Sequence, residues 1–275
     1  MNTKQIRDKL ISSGIEFGEA QREAEMFAEH YLGLNAVKLA INPEFEPTEE
    51  MSDAILKRCQ KKIPIQHLLG KAYFMGEYFK VNENVLIPRD ETEILTVKVI
   101  NIVKENGFKY VLDIGTGSGC IACMVAKHTD AQVLGVDIST AALSVALDNT
   151  SALGLFNRAI FRKSDLFSNV FEKFDLIVSN PPYIPLSEKN KIQKEVRFDP
   201  ELALYTKDES GVEFYKKITE QSSKYLNDGG YLVFELGMGQ AGIVKKFFEE
   251  NDFKDIEIIK DLAYIDRVII GRKNG

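Results

Sequence analysis

Residues 91–275 read as an α/β domain with a mostly parallel sheet covered on both faces. A helical-bundle domain over 1–62 and a β-hairpin linker over 63–90 precede it. Three observations predict this arrangement. From about residue 91, short apolar strand runs alternate with helical patterns, the order that places helices on both faces of a parallel sheet. Residues 1 to about 60 instead carry apolar side chains at helical spacing. Between the two lies a β-rich stretch punctuated by glycine.

In the first region Ala20, Ala24, Phe27, Ala28, Tyr31 and Leu32 fall on one helix face. Pro47 then opens a second helical run, with Glu49, Glu50 and Asp53 suited to the positive end of its dipole. Tyr73-Phe-Met-Gly-Glu-Tyr-Phe-Lys-Val81 reads as two short strands turning at Gly76-Glu77. The strand runs of the α/β domain are Tyr110–Asp113, Gln132–Val136, Ala159–Lys163, Asp175–Ser179, Gly230–Glu235 and Val268–Ile270. Helical patterns fall among them at 118–128, 139–153, 211–226 and 239–250.

Charge narrows the function. Lys plus Arg is 35 against 41 Asp plus Glu, a net charge of −6, which argues against coating nucleic acid through a basic surface. The acidity is concentrated: from Ile15 to Leu56 ten acids face two bases, Arg22 and Lys38. That stretch reads as a solvated helix surface, with Glu19, Glu23 and Glu49 available to attract a basic protein domain. The longest uncharged run is thirteen residues, Ile114–Ala126, short of the about twenty needed to span a bilayer. The first residues lack the apolar core of a signal peptide, and three cysteines make no disulfide framework, so a cytoplasmic protein is expected. Cys120-Ile-Ala-Cys123 sits in an apolar helical pattern and reads as core. His30, His67 and His128 show no ligand spacing, so no metal site is expected.

Asp113-Ile-Gly-Thr-Gly-Ser-Gly119 follows the first strand of the α/β domain and opens a helix. Glycines there let a ligand approach the backbone and leave helix N–H groups free. The spacing G-x-G-x-G differs from the dinucleotide fingerprint. Asp137 ends the second strand, where a carboxylate can accept both hydroxyls of a ribose. Asp165-Leu166 follows the third, where an acid and an apolar neighbour can hold adenine. Together these mark the crevice at the carboxyl ends of the strands, with chemistry suited to adenosine.

Ser179-Asn-Pro-Pro-Tyr-Ile184 follows the fourth strand. The two prolines lack N–H donors and take the chain out of the ladder. Asn180 offers a side-chain carbonyl, Pro181 a backbone carbonyl and Tyr183 a flat ring. Two acceptors beside an aromatic face form a receptor for a planar NH₂ group. Such a nitrogen is a poor nucleophile, and holding its hydrogens favours a more tetrahedral nitrogen with its lone pair aimed at an electrophile.

Asp-Ile-Gly-Thr-Gly-Ser-Gly (113–119) with Asn-Pro-Pro-Tyr (180–183) resembles the S-adenosylmethionine-dependent methyltransferases that modify planar nitrogens. Within that group, Pro64–Gly70, the Phe74/Phe79 hairpin and Leu86-Ile-Pro-Arg-Asp-Glu-Thr-Glu93 resemble the HemK-type glutamine methyltransferases of peptide-chain release factors, over nearly the whole chain. The resemblance implies a Rossmann-like domain with a mostly parallel seven-stranded sheet. It implies methylation, by S-adenosyl-L-methionine, of the side-chain amide nitrogen of the glutamine in a Gly-Gly-Gln motif, with S-adenosyl-L-homocysteine as product. It further implies release factors as protein partners; the acidic charge and the lack of an apolar span predict no stable nucleic-acid binding and no membrane, and a monomer is expected. By position, Gly115, Thr116, Gly117, Ser118, Gly119, Asp137, Asp165, Leu166 and Asn180 would hold the cofactor. Asn180, Pro181, Pro182 and Tyr183 would take the glutamine, with Asn180, Pro181 and Tyr183 catalytic. Two departures stand out. Asp90 occupies the place of a usual second proline, where Asp90 and Glu93 are expected to form a capping box. Thr206-Lys207 replaces a usual Gly-Gly in the loop over the substrate.

Two other readings share these residues. Adenine's amino group would fit the same receptor after base flipping, but the acidic charge and the lack of a basic recognition segment stand against an adenine-N6 methyltransferase. A non-catalytic S-adenosylmethionine-binding module would have no need of both acceptors and Tyr183.

Overall fold

In a computed structural model that describes residues 1–274, the chain divides into two units. One comprises Met1–Lys71 with Gln193–Phe198; the other comprises Ala72–Ile192 with the chain from Asp199 onward.

The first unit is helical: α1 (Thr3–Ser12), α2 (Phe17–Leu32), α3 (Ala36–Ile41), α4 (Glu49–Lys61) and α5 (Ile65–Leu69). Asn2 starts α1 with a capping box to Gln5. Thr48 caps α4, so Pro47 precedes the cap instead of entering the first turn. Ala20, Ala24, Phe27 and Ala28 are fully buried against Ile6, Leu10 and Met51.

The acidic stretch departs from a solvated surface in one respect. Arg58 of α4 is completely buried. Its Nη2 reaches Glu23 Oε1 at 2.7 Å and Glu19 Oε1 at 3.1 Å, and its Nη1 reaches Glu195 Oε1 at 2.5 Å. Glu23 and Glu19 are therefore engaged inside the unit, and only Glu49 of the three acids remains on an open face. Two of the ten acids, Glu19 and Glu23, thus share with Glu195 the charge of one buried cation just beyond the stretch.

The second unit begins with a hairpin, β1 (Lys71–Phe74) and β2 (Glu77–Lys80). Met75 and Gly76 both have positive φ, 48° and 88°, as the tight hairpin turn with two left-handed residues requires. Phe74 and Phe79 meet edge to face at 6.0 Å and are fully buried. The elements that follow are α6 (Asp90–Asn106), β3 (Tyr110–Ile114), α7 (Cys120–His128), β4 (Gln132–Asp137), α8 (Thr140–Ala152), β5 (Ala159–Lys163) and β6 (Phe174–Ser179). Then come β7 (Ile184–Pro185), α9 (Glu201–Leu204), β8 (Tyr205–Thr206), α10 (Glu213–Tyr225), β9 (Leu226–Glu235), α11 (Ala241–Glu250), β10 (Phe253–Lys260) and β11 (Asp266–Lys273).

The main sheet has seven strands in the order β10-β11-β9-β6-β3-β4-β5, all pairings parallel except those made by β11. Successive residues of its strands enter opposite cores. Val111, Val133, Leu176 and Val233 pack with α6 and α7, whereas Leu112, Leu134, Ile177 and Leu232 pack with α10 and α11. Burial on both faces explains why these strands read as unbroken apolar runs. The edge strand β10 escapes the sequence reading because only Phe253 of its eight residues is buried.

Two local expectations change. Asp90 begins α6, but Arg89 is the cap and makes no side-chain bond; Glu93 instead accepts the Met75 N–H at 2.7 Å, pinning the hairpin turn. Thr206-Lys207 needs no glycine: neither residue has positive φ, and Tyr205–Thr206 pairs in parallel with Ile184–Pro185.

Candidate active site

The strand order grows outward in both directions from β3 and β6, so a crevice opens beyond the carboxyl ends of these two neighbours. Their last residues, Ile114 and Ser179, are paired, and the Ser179 hydroxyl donates to the Ile114 carbonyl at 2.7 Å. The glycine loop leaves one strand and Asn-Pro-Pro-Tyr the other, so the fold brings the two motifs side by side.

Gly115, Gly117 and Gly119 all have positive φ, which other residues adopt at a cost. They do different work. A Cβ on Gly115 or Gly117 would meet nothing closer than 3.9 Å, so these two face open space. A Cβ on Gly119 would press on Ala146 and Phe161 at 3.1 Å, so this glycine seats the loop on α8 and β5. Thr116 and Ser118 are buried, and the Thr116 hydroxyl donates to Asp113 at 2.6 Å. Burial pushes the Asp113 carboxyl up to about 7, with Asp137 adding to the rise.

Asp137 ends β4 half-buried. Its Oδ2 accepts the Gly117 N–H and its Oδ1 the Ser139 N–H, each at 2.9 Å. Burial raises its pKa, and these backbone donors oppose the rise. Each oxygen keeps a second lone pair for a diol. On the next strand Ser164 N–H donates to the Asp137 carbonyl at 2.9 Å, so Asp165 and Leu166 follow directly beside it. Leu166 is held at φ 48° with its carbonyl bonded by the Ser164 hydroxyl at 2.7 Å; Asp165 is exposed. A cavity of about 480 Å³ takes in Asp165 and Leu166 with Phe171, Lys217 and Tyr225, but none of residues 115–119, Asp137 or Asn180. The donors and acceptors, not that volume, locate the crevice. An open glycine cradle, a half-buried acid and an apolar neighbour fit an adenosine-bearing group.

Asn180 is half-buried after β6, and its Nδ2 donates to Thr92 Oγ1 at 3.4 Å. Thr92 donates in turn to Glu235 Oε2 at 2.7 Å. Glu235 is buried at the end of β9; burial pushes its carboxyl up to about 7, the Thr92 hydroxyl and Asn180 amide oppose the rise, Glu91 adds to it and Arg267 opposes it. Burial also raises the Tyr183 phenol, with Glu235 contributing, so the ring stays neutral. Gln240 Nε2 donates to the carbonyls of Tyr183 (2.9 Å), Ser210 (3.1 Å) and Gly211 (3.2 Å), clamping the chain after the two prolines. Gly211 is needed there: a Cβ would collide with the Tyr183 carbonyl.

Four contributors escape the sequence reading. Thr92, Glu235 and Gln240 are three. The fourth is buried Asn149 of α8, whose Nδ2 donates to the Ser118 carbonyl at 2.9 Å and the Lys80 carbonyl at 3.0 Å, tying glycine loop to hairpin. One signal was present: Glu235, like Asp137, is an acid closing an apolar strand at the sheet's carboxyl edge. Cys120 and Cys123 are buried, their thiols pushed up by burial to about 12 and about 11, which leaves them unreactive packing groups.

Fold and crevice together are those of the Rossmann-like S-adenosylmethionine-dependent methyltransferases. A Methyltransferase small domain model matches residues 89–197, and a PrmC N-terminal domain model matches residues 3–70. Among solved structures, ribosomal protein L11 methylase from Lactobacillus delbrueckii subsp. bulgaricus aligns with TM-score 0.53 at 22% identity, over 72% of this chain and 87% of its own. The T. thermophilus 16S rRNA N2 G1207 methyltransferase, in complex with AdoMet and guanosine, aligns with TM-score 0.52 at 18% identity, over 74% and 50%. These two share the fold. Sequence relatives are nearer. The release factor glutamine methyltransferase of Thermodesulfovibrio yellowstonii is 38% identical over 97% of this chain and 98% of its own length, and that of Clostridium acetobutylicum is 36% identical over 98% and 99%. The chain belongs to the release factor glutamine methyltransferase family.

Proposed function

We infer that this chain transfers a methyl group from S-adenosylmethionine to the side-chain amide nitrogen of the glutamine in the Gly-Gly-Gln motif of peptide-chain release factors. The observation that carries this reading is Asn180 at the switch point, beside the open glycine cradle and over a clamped Pro-Pro-Tyr turn. S-adenosylmethionine, when bound, supplies an electrophilic methyl group and leaves as S-adenosylhomocysteine. The residues at 115–119, Asp137, Asp165 and Leu166 hold it. Asn180 Oδ1 and the Pro181 carbonyl accept the two amide hydrogens of the substrate, while the Tyr183 ring supports its plane. The lone pair is then directed at the methyl group; the preorganised acceptors raise its reactivity before attack, and the methylated nitrogen releases one of its two protons to solvent.

The adenine-N6 reading is not favoured, because relatives spanning nearly the whole chain carry the release factor name. No helix among the described residues is long and apolar enough to cross a membrane. A monomer acting in the cytoplasm without stable nucleic-acid binding completes the proposal.

Incubation with methyl-labelled S-adenosylmethionine and either a purified release factor or adenine-containing nucleic acid tests it. Label is expected on the Gly-Gly-Gln glutamine; label confined to nucleic acid would sink the reading. Asn180→Ala is expected to lower kcat/KM by ~10²–10³-fold, the scale for one preorganised group lost from a transition state.

A further inference from the structure

The geometry points to Thr92 and Glu235 as positioning residues: together they set which way the Asn180 amide faces and so create the acceptor that Asn180 offers the substrate. This rests on the reading of Asn180 as an amide receptor. The two ends of an amide are nearly equal in size but opposite in function. Only the orientation with Oδ1 toward the crevice can accept a substrate N–H; the flipped one presents two donors and repels it.

The chain of hydrogen bonds decides between them. A carboxylate can only accept, so the single hydroxyl proton of Thr92 goes to Glu235 at 2.7 Å. The Thr92 oxygen then has only lone pairs to offer, and what meets it at 3.4 Å must donate. That is the NH₂ end of Asn180, and its planar amide leaves Oδ1 directed away. Thr92 is held for this: it lies in the first turn of α6, its N–H donates to the Arg89 carbonyl at 3.0 Å, and its carbonyl accepts the Thr96 hydroxyl at 2.8 Å. Glu235 is equally fixed, because its own carbonyl accepts the Tyr215 hydroxyl at 3.0 Å.

Protonating Glu235 removes the constraint. The acid then has a proton to give, Thr92 can donate elsewhere, and both amide orientations become accessible. The groups that act on Glu235 are Glu91 of α6, Arg267 of β11, Tyr183 after the two prolines and Tyr215 of α10. Arg267 is engaged by Asp261 at 2.8 Å and by Glu91 at 3.4 Å, and both tyrosines remain neutral phenols, so the negative charge that Glu91 adds is partly answered by Arg267. With burial pushing the carboxyl up to about 7, the orienting form is lost as pH falls through neutrality.

Initial rates on an intact release factor, measured from pH 5.5 to 9 alongside cofactor affinity by calorimetry, test this. Wild-type kcat is expected to rise through about pH 7 and level above it. Glu235→Gln is expected to lose ~3- to 10-fold in kcat at pH 8, the scale of one hydrogen-bond preference, to lack the acid limb, and to bind cofactor normally. Thr92→Val is expected to lose at least as much and, with no hydroxyl to relay the Glu235 charge to Asn180, to lack the limb as well, and Thr92→Ser to restore both. This pair carries the test if Glu235→Gln does not fold. An unaltered limb in Glu235→Gln, or a Thr92→Ser as impaired as Thr92→Val, overturns the positioning role. Asn180→Ala in the same assay separates the two claims: if it is active, the amide receptor itself fails. If it is inactive while Glu235→Gln keeps the wild-type profile, only the positioning role fails.

Discussion

Each unit of the molecule buries a glutamate, and the two are answered differently. Glu23 in the helical unit meets a cation: Arg58 touches it through Nε and Nη2 at 2.7–3.0 Å. Burial works against the Arg58 charge, but Glu23 and Glu195 outweigh it and hold the guanidinium ionised. Glu235 in the methyltransferase unit meets one hydroxyl and one amide, with Arg267 acting from farther away. Burial raises the Glu23 carboxyl as well, but its own cation opposes the rise through both hydrogen bond and charge, an arrangement suited to specifying a fold. A buried acid given only neutral donors sits near its titration point, suited to a site. The same residue type becomes scaffold or device according to its neighbour.

Breaking the first case produces the largest expected effect. Arg58→Met leaves Glu23 buried without its cation, and removing one partner of a buried pair costs about 3–5 kcal/mol. Urea unfolding should show that loss. Arg58→Met combined with Glu23→Leu should recover most of it, because the uncompensated charge is gone and the apolar neighbours Phe27 and Ile55 remain. A double variant as unstable as the single one would mean that packing of the arginine stem, not its charge, holds the helices.

How far each case was legible in the sequence follows from the distances between its parts. The glycine loop, Asp137 and Asn-Pro-Pro-Tyr are each written within seven residues, and each closes an apolar strand, so periodicity placed them on the sheet edge. The sheet supplied the rest by pairing Ile114 with Ser179. Thr92, Asn180 and Glu235 are spread over more than a hundred residues, and nothing local distinguishes Thr92 from any hydroxyl in a first helical turn. Glu93 was open to misreading for a related reason. A capping box is a local pattern, but the Met75 N–H at the hairpin turn is a tertiary donor that takes the carboxylate instead. In the acidic stretch the periodicity itself held the clue, since Glu23 shares a helix face with Ala20 and Phe27. Charge counting passed over it because Arg58, its partner, lies 35 residues from Glu23, and Glu195, which shares that cation, lies 137 residues from Arg58.

Asp137 is intermediate between the two glutamates, since backbone N–H groups of Gly117 and Ser139 answer its charge. Asp137→Ala should weaken S-adenosylmethionine binding by ~10–100-fold, the range for a lost hydrogen bond to a charged group, as read by calorimetry. Its melting temperature should fall far less than that of Arg58→Met. Unchanged cofactor affinity would remove the ribose role and leave Asp137 as a brace for the glycine loop.

The smallest expected effect is the pH dependence of stability that Glu235 itself imparts. Burial moves Glu235 from an ordinary 4.5 up to about 7. Between those values the folded chain keeps a proton that the unfolded chain has already released, so the stability this group contributes is complete below about pH 4.5 and is lost as pH rises through about 7. Glu235→Gln cannot release that proton. Its melting temperature should therefore decline less than wild type between pH 5 and 8, whereas Arg58→Met should sit below wild type throughout. An identical slope in wild type and Glu235→Gln would mean that Glu235 is already charged when folded. The sign opposes that of catalysis: Glu235 stabilises the fold best when protonated and orients Asn180 only when ionised. The buried acid at the active site thus trades stability for function, and the one beside Arg58 does not.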